Sequence, residues 1–275
     1  MAKDIFAHSR RIKRALILKK CVIFAVSVGM LTAAVISFFY IPYFKIKAVA
    51  ISGTETVRAS DIESSVKNFI SGREFWVLPR SSMFILSEDM IVSHLAKNFP
   101  RLDRISMKVD GISPATVLIG IKERTTWAVV CRVLANLGAD ENSCFYSSSD
   151  GFLFGPAPKE SGSFFLHIKD NREENYETGD YFIAQGELDR IRAILEKIAS
   201  VTGENIDEIS VSQDEIFYYE ASSDAGWKII FDSRTDPAIA AGNFAIAYKN
   251  TLGEILSKVD YIDLRLENRI FYKER

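Results

Sequence analysis

The longest hydrophobic pattern in the chain is a continuous one near its N-terminus. Residues 21–41, CVIFAVSVGMLTAAVISFFYI, contain no charged side chain. As a helix, this segment is about 30 Å long, which matches the hydrocarbon thickness of a bilayer. Aromatic side chains crowd its far end, and Pro42 is expected to stop the helix there. The pattern predicts one transmembrane helix over 21–41.

A second pattern, between residues 44 and 123, changes from extended to helical. The apolar run at 44–51 predicts a strand that ends near Gly53. Ser60 and Glu63 have the spacing of a capping box, and apolar residues follow at helical intervals. A first helix of about three turns is therefore expected after the strand.

The same region then returns to strands. Ser87 is the candidate N-cap of a second helix, which must end by Pro100. Apolar and polar residues alternate at 104–109 and again at 117–121, as in half-buried strands. The predicted order for a domain over 44–123 is thus β-α-α-β-β.

A third pattern covers residues 124–275 and consists mostly of short strands rich in β-branched and aromatic residues. Two helices interrupt them, the second starting at Asp236 with Pro237 in its first turn. The first helix presents one apolar stripe, formed by Leu188, Ile191, Leu195 and Ile198. We therefore expect an α+β fold, with a β-rich domain and two covering helices after the first domain.

Charge gives the predicted membrane helix a direction. Residues 1–20 carry seven basic side chains against Asp4 alone, and subtracting this +6 from the net charge of −2 leaves −8 for the rest. The positive-inside rule places the basic tail in the cytoplasm and residues after 41 outside. A cleaved signal peptide is the alternative interpretation of residues 21–41. Signal peptides have a shorter apolar run that ends in small residues, whereas this run is longer and ends in bulky aromatic residues.

Composition and motifs exclude several classes of function. The acidic bulk argues against nucleic acid as a partner. Of the three histidines, His8 lies in the tail, and we expect His94 and His167 to have structural roles. No metal, cofactor or small-molecule substrate motif is found. A membrane-anchored cell-wall enzyme with paired carboxylates is the enzymatic alternative, and no two acidic residues are singled out for it.

The order of elements and several local sequences resemble the FtsQ/DivIB family of bacterial cell-division proteins. The first domain is similar to that family's POTRA domain, on the pattern at 44–53, Phe99-Pro100, Pro114 and 121–124. The later D-G-F-L-F at 150–154 and Y-I-D-L-R at 261–265 also resemble family patterns. Two features depart from it: Thr126 stands where many members have Pro, and the pair Cys131 and Cys144 is not general.

The resemblance implies a non-catalytic role at the division septum, in the inner (cytoplasmic) membrane. Such proteins bind FtsB/DivIC-like and FtsL-like bitopic proteins and help to control septal peptidoglycan synthesis. A POTRA-bearing protein-transport component is another possibility, but the alternating barrel strands expected of that class are not found.

The cysteines suggest a covalent link in the C-terminal domain. Cys131 and Cys144 are equidistant from a candidate turn at Leu137 and Gly138, so a hairpin there would bring them to disulfide range. Two free buried thiols are the alternative. Cys21 lies in the predicted anchor and is expected to have no partner.

The end of the chain is the expected partner site. YIDLR and RIFYK are separated by residues 266–268 only, so a final hairpin is predicted, with its second strand near the sheet edge. In the resembling family the partner adds a strand at this edge. We expect the contact at Leu266, Asn268, Ile270, Phe271 and Tyr272. Tyr261, Asp263 and Arg265 are expected to orient the hairpin.

A Phe271→Pro substitution tests this site. It should weaken partner binding if the backbone N–H of Phe271 points outward from the sheet. The alternative is that Ile270 and Tyr272 face the core.

Overall fold

The computed structural model describes residues 2–112, 114–133, 143–159, 164–172, 174–213, 217–267 and 269–275, with the side chains of residues 2–17 and 217 excepted. The chain divides into two compact units. Unit 1 comprises Met1–Asn98 and Leu102–Glu123, and unit 2 comprises Phe99–Arg101 and Arg124–Arg275. The division follows Glu123, where the hydrophobic pattern of the sequence changes.

Unit 1 begins with a long helix, α1, over Ala2–Phe38. Its part Leu18–Phe38 has a mean hydropathy of 2.3, contains no buried residue and is long and apolar enough to cross a membrane. The helix also includes the tail, and it ends three residues before the predicted position. Because Pro42 disfavours helical backbone in the residue before it, Ile41 is extended. Tighter turns over 36–41 close the last carbonyls of the helix.

The rest of unit 1 is a three-stranded sheet with two helices. Its elements are β1 (Ile46–Ser52), α2 (Ala59–Ile70), α3 (Glu88–Asn98), β4 (Leu102–Asp110) and β5 (Ala115–Glu123). Central β5 pairs with β1 in parallel and with β4 in antiparallel orientation. The predicted order is present, but a hairpin of β2 (Arg73–Glu74) and β3 (Leu78–Pro79) lies between the helices and was not expected.

The helix starts of unit 1 give a mixed result. Ser87 is confirmed as a cap, since its hydroxyl accepts the Met90 N–H at 3.4 Å. The capping box is wrong: α2 begins at Ala59, its N-cap is Arg58 without a side-chain bond, and Ser60 contacts Asp61 instead. Ser60 is the second residue of the helix, two positions after the N-cap, and a cap must precede the first helical residue.

Unit 2 is built on one nine-stranded sheet. In chain order its strands are β6 (Ala128–Arg132), β7 (Cys144–Ser147), β8 (Leu153–Pro156), β9 (Leu166–Asp170), β10 (Ile206–Gln213), β11 (Phe217–Ser223), β12 (Lys228–Asp232), β13 (Val259–Asp263) and β14 (Phe271–Glu274). Their order across the sheet is β14-β13-β12-β11-β10-β9-β6-β7-β8, so β14 and β8 form its edges.

Two helices pack against one face of this sheet. These are α4 (Gln185–Thr202) and α5 (Pro237–Ala247), and Asp236 caps α5 by accepting the N–H groups of Ala238 and Ile239. The four predicted stripe residues of α4 are all buried. They share one core with buried side chains of the central strands, including Ile209, Tyr219 and Ile229. The mixed α+β fold is thereby confirmed for unit 2. After α5 the chain continues through a π-helical turn (Tyr248–Leu252) into a short helix, α6 (Gly253–Ile255).

Candidate partner-binding edge

The last two strands form the predicted hairpin, with a longer connection than expected. Strand β13 ends at Asp263 and β14 begins at Phe271, so residues 264–270 link them rather than 266–268. Leu264 is buried and donates its N–H to the carbonyl of Ile230, which holds the chain against β12 after β13 has ended. Asn268 lies outside the described residues.

Backbone groups alternate in direction along the two strands. The Leu264 N–H points to β12, so the neighbouring Asp263 and Tyr261 direct their backbone groups to β14. These two residues are paired with Phe271 and Lys273. The backbone N–H of Phe271 therefore faces β13, inside the sheet. The Phe271→Pro test required this N–H to point outward, so that requirement is not met.

The free edge presents the intervening residues of β14. The N–H of Arg275 donates to the carbonyl of Lys258 at 2.8 Å, which again sets odd-numbered residues inward. The backbone groups of Tyr272 and Glu274 consequently point away from the sheet. In the described part of the chain, no strand pairs with this side of β14. An unpaired strand edge of this kind is a template for another chain.

The predicted contact side chains divide by exposure. Leu266, Phe271 and Tyr272 are exposed by 54 %, 50 % and 43 %. Ile270 instead packs against the core of unit 2. Tyr272 is paired with buried Ile262, so its ring lies over the rim of the helix-covered face. Phe271 lies on the opposite face, so the hairpin offers apolar surface on both sides.

Asp263 and Arg265 form a bidentate pair immediately after β13. The Arg265 guanidinium donates to both carboxylate oxygens, at 2.9 Å from Nε and 2.5 Å from Nη2, and its backbone N–H donates at 3.0 Å. The hydrogen bond from Arg265 lowers the pKa of Asp263 against the opposing effect of burial. Arg265 also lies over the ring of Tyr218. This pair fixes the conformation of the chain where it leaves β13. Tyr261, the third residue expected to orient the hairpin, is half-buried and lies opposite Lys273.

One residue that holds this hairpin was missed by sequence reasoning. Asn243, in the middle of α5, donates from Nδ2 to the carbonyl of Glu267 at 2.5 Å. This bond ties the connection between β13 and β14 to the covering helix. Its only signal in the sequence is an amide side chain in an otherwise Ala-rich helix, and that signal does not identify a partner.

The two cysteines of unit 2 are joined. Cys131 on β6 is directly opposite Cys144 on β7, their Cα atoms are 4.1 Å apart and the sulfurs are bonded. The candidate turn at Leu137 and Gly138 lies outside the described residues. Cys21 is a free, exposed thiol on α1.

Within the described ranges, no three His, Cys, Asp or Glu side chains cluster as they would around a metal ion. Ser65 and His94 lie 3.0 Å apart on facing helices α2 and α3, but His94 stacks on Phe69 and its other ring nitrogen lies 3.4 Å from the Asn98 amide. A nucleophile–base pair is normally oriented by a third polar group. Here the Asn98 amide is at 3.4 Å from the second ring nitrogen, and no carboxylate contacts the imidazole in the described contacts. The geometry is that of a helix-packing contact.

Comparison with known proteins adds no family assignment. No protein-family model matches the chain, and no curated protein matches it.

Proposed function

We propose that this chain is a non-catalytic, bitopic division protein of the FtsQ/DivIB type, whose C-terminal edge receives a strand from an FtsB/DivIC-like partner. One observation carries the proposal: β14 ends a nine-stranded sheet with outward backbone groups at Tyr272 and Glu274 and exposed apolar side chains beside them. Strand addition needs this combination, because backbone bonds supply affinity and neighbouring side chains supply specificity.

The N-terminal half supports the same proposal. Helix α1 provides a span of suitable length behind a basic tail, which favours a cytoplasmic N-terminus and extracytoplasmic units. The element order of unit 1 agrees with a POTRA domain, apart from the inserted β2–β3 hairpin. An FtsL-like protein would join the complex through the FtsB/DivIC-like chain. The proposed location is the inner membrane at the division septum.

The charged residues of the edge define what the partner strand would meet. Lys273 and Asp260 form an ion pair across β13 and β14 at 3.8 Å, and Glu274 and Arg275 follow at the end of the chain. Such charges discourage indiscriminate pairing of an exposed edge. We propose that they select a strand of complementary charge, while Phe271 and Tyr272 contribute apolar contacts.

The test compares proline at two adjacent positions. Tyr272→Pro removes an outward N–H and should reduce affinity for the partner's extracytoplasmic segment by about fivefold or more, since one backbone bond at an edge contributes roughly 1 kcal/mol. Affinity is measured by titration with the full-length protein in nanodiscs. Phe271→Pro removes a bond to β13 instead, so it should lower the stability of the hairpin itself.

A matched control separates the backbone from the ring. Tyr272→Ala keeps the N–H and should retain part of the binding. Equal affinity of wild type and a folded Tyr272→Pro protein would contradict strand addition at β14. An equal loss of binding in Tyr272→Ala and Tyr272→Pro would assign the contact to the side chain rather than to an added strand.

A further inference from the structure

The hairpin inserted between the helices of unit 1 carries an unusual tip. Phe75 and Trp76 at the turn are 78 % and 92 % exposed, and Val77 beside them is also exposed. The turn itself is well formed: the Val77 N–H donates to the carbonyl of Glu74 at 3.1 Å, and Glu74 pairs with Leu78. Three consecutive apolar side chains are therefore held outward on a two-stranded stem. Exposed apolar patches of this kind mark interaction sites.

The backbone of the tip is unfavourable for the residues that occupy it. Phe75 and Trp76 have φ values of 48° and 67°, both in the left-handed region. Turns with two such central residues prefer Asn-Gly, because bulky side chains crowd the backbone in this conformation. Aromatic rings at both positions sacrifice stability of the free hairpin. Strain kept at an exposed position indicates a use for the side chains.

Several contacts place this tip at the end of the long apolar helix. The Tyr40 hydroxyl, two residues after α1, donates to the carbonyl of Val77 at 2.5 Å. The chain after the hairpin is bonded to the chain after the helix, through Ile46 N–H to Ser81 O and Met83 N–H to Phe44 O.

Aromatic rings continue from the helix end on to the same part of unit 1. The ring of Phe84 lies 5.8 Å from that of Phe38 and 5.2 Å from that of Phe44, and Phe84 is more than half exposed. Phe38 is the last residue of the apolar segment. The hairpin tip and these rings therefore lie at the level where a helix spanning a bilayer leaves the hydrocarbon layer.

We propose that the tip formed by Phe75, Trp76 and Val77 inserts into the headgroup region of the outer leaflet and gives unit 1 a second attachment to the membrane. This inference rests on the proposed membrane anchor. Trp and Phe favour the boundary between headgroups and acyl chains, where an amphipathic indole is partly hydrated. Two attachment points, the helix and the tip, fix the tilt of unit 1 relative to the bilayer, which a single attachment point does not.

The fluorescence of Trp76 can report the insertion of the tip. The chain has two other tryptophans, Trp127 and Trp227, and none of the three lies in the spanning helix α1, so the helix itself contributes no tryptophan emission. The full chain is placed in phosphatidylcholine nanodiscs whose acyl chains are brominated either near the glycerol or near the methyl end. Bromine near the glycerol should remove the Trp76 share of the emission, and bromine near the methyl end should remove less of it. Trp76→Phe should abolish the bromine-dependent loss, whereas Trp127→Phe should retain it.

A second variant guards against loss of folding. Phe75→Asn with Trp76→Gly supplies the residues that the turn prefers, so the hairpin should be kept while the rings are removed. Amide exchange over residues 73–79 should be slower in nanodiscs than in detergent for the wild type, and this difference should be lost in the variant. Equal wild-type exchange in nanodiscs and detergent, or equal emission of wild type and Trp76→Phe in brominated discs, overturns the inference.

Failure of the anchor itself gives a different result. A chain without a spanning helix does not enter nanodiscs and is released from membranes by alkaline carbonate. A chain that stays in the disc with Trp76 unquenched has an anchor but no inserted tip. The experiment thus separates this inference from the proposal on which it rests.

Discussion

Glu123, the last residue of β5, connects two distant parts of unit 1. Its Oε1 atom accepts the backbone N–H groups of Glu55, Thr56 and Val57 at 2.7, 2.9 and 2.9 Å. These residues form the loop that leads from β1 into α2. Burial by itself raises the pKa of Glu123, but the three backbone bonds outweigh it and lower the pKa. The ionised carboxylate is therefore the form that stabilises the fold.

We predict that Glu123→Gln lowers the free energy of unfolding by about 1–2 kcal/mol at pH 7, because charge-assisted bonds are replaced by weaker neutral ones. A carboxyl group whose pKa is lower in the folded than in the unfolded state stabilises the folded protein. This stabilisation is complete above the unfolded-state pKa and is lost as the pH falls through the folded-state pKa. The difference between wild type and variant should accordingly shrink below roughly pH 4. Urea unfolding at several pH values measures it. A penalty independent of pH would contradict the assigned role of the charge.

Asp170 and Arg172 form a buried ion pair within unit 2. The guanidinium donates to the carboxylate at 2.8 and 2.6 Å, and also to the carbonyl of Phe182 at 2.6 Å. Both side chains are almost completely buried. Burial favours the neutral form of Arg172, but the bonds and the charge of Asp170 prevail and raise its pKa. Two charges without water are tolerated here because each satisfies the other.

Asp170→Asn should destabilise the protein by about 3–5 kcal/mol, since it leaves the charge of Arg172 buried with less compensation. A matched control is the adjacent but exposed pair of Lys169 and Glu208, which are 2.6 Å apart. Breaking that pair with Glu208→Gln should cost about 1 kcal/mol or less. Chemical denaturation of both variants gives the comparison. Similar losses in the two would show that burial of the pair has no special weight.

At the level of elements, the covalent link between β6 and β7 is the clearest contributor to stability. Cys131 and Cys144 are thirteen positions apart and face each other across the two strands. A bond over this separation restricts the unfolded chain, and we expect replacement of both cysteines by Ser to lower the free energy of unfolding by about 3 kcal/mol. Cys21→Ser, on α1, is the control and should have little effect.

Peptide mapping without reductant checks that the bond exists in the protein as isolated. Its recovery agrees with an oxidising, extracytoplasmic location for unit 2. Recovery of both thiols free would contradict the pairing and would also weaken the proposed topology.

For the whole molecule, the proposed function predicts a position in the cell. A fluorescent fusion of the full chain should form a band at midcell in dividing bacteria, because division proteins of this type act at the septum. Uniform envelope fluorescence would contradict the proposal. A fusion lacking residues 44–122 tests whether unit 1 recruits the chain, and retention of the midcell band would assign recruitment elsewhere.

Local pattern in the sequence was sufficient for much of the architecture. Three patterns depend only on residues that are near each other in the sequence. They are the uncharged run that is long enough to span a bilayer, the apolar stripe on α4, and the alternation along β4 and β5. The predicted pairing of Cys131 with Cys144 was also local, because both cysteines are equally distant in sequence from the candidate turn between them. Chain connectivity near the C-terminus was enough to place the last strand at an edge.

Local pattern failed where the element was short or its boundary was decided by contacts. The strands β2 and β3 have two residues each, too few for a period to appear. Ser60 had the right spacing for a cap, but α2 begins two residues earlier than that cap predicts, directly after the Glu123-bound loop.

Tertiary structure alone decided the details of the candidate site. Whether Phe271 or Tyr272 directs its N–H outward depends on the register of β14 against β13, and a shift by one residue reverses every backbone and side-chain direction. The bond from Asn243 to Glu267 and the reach of Glu123 to Val57, 66 residues away, likewise join segments that no local pattern relates. The sequence determined the long helices and the longer strands, since that choice is made among neighbours in the chain. The fold determined which backbone groups remain free, since that depends on what each strand is paired with.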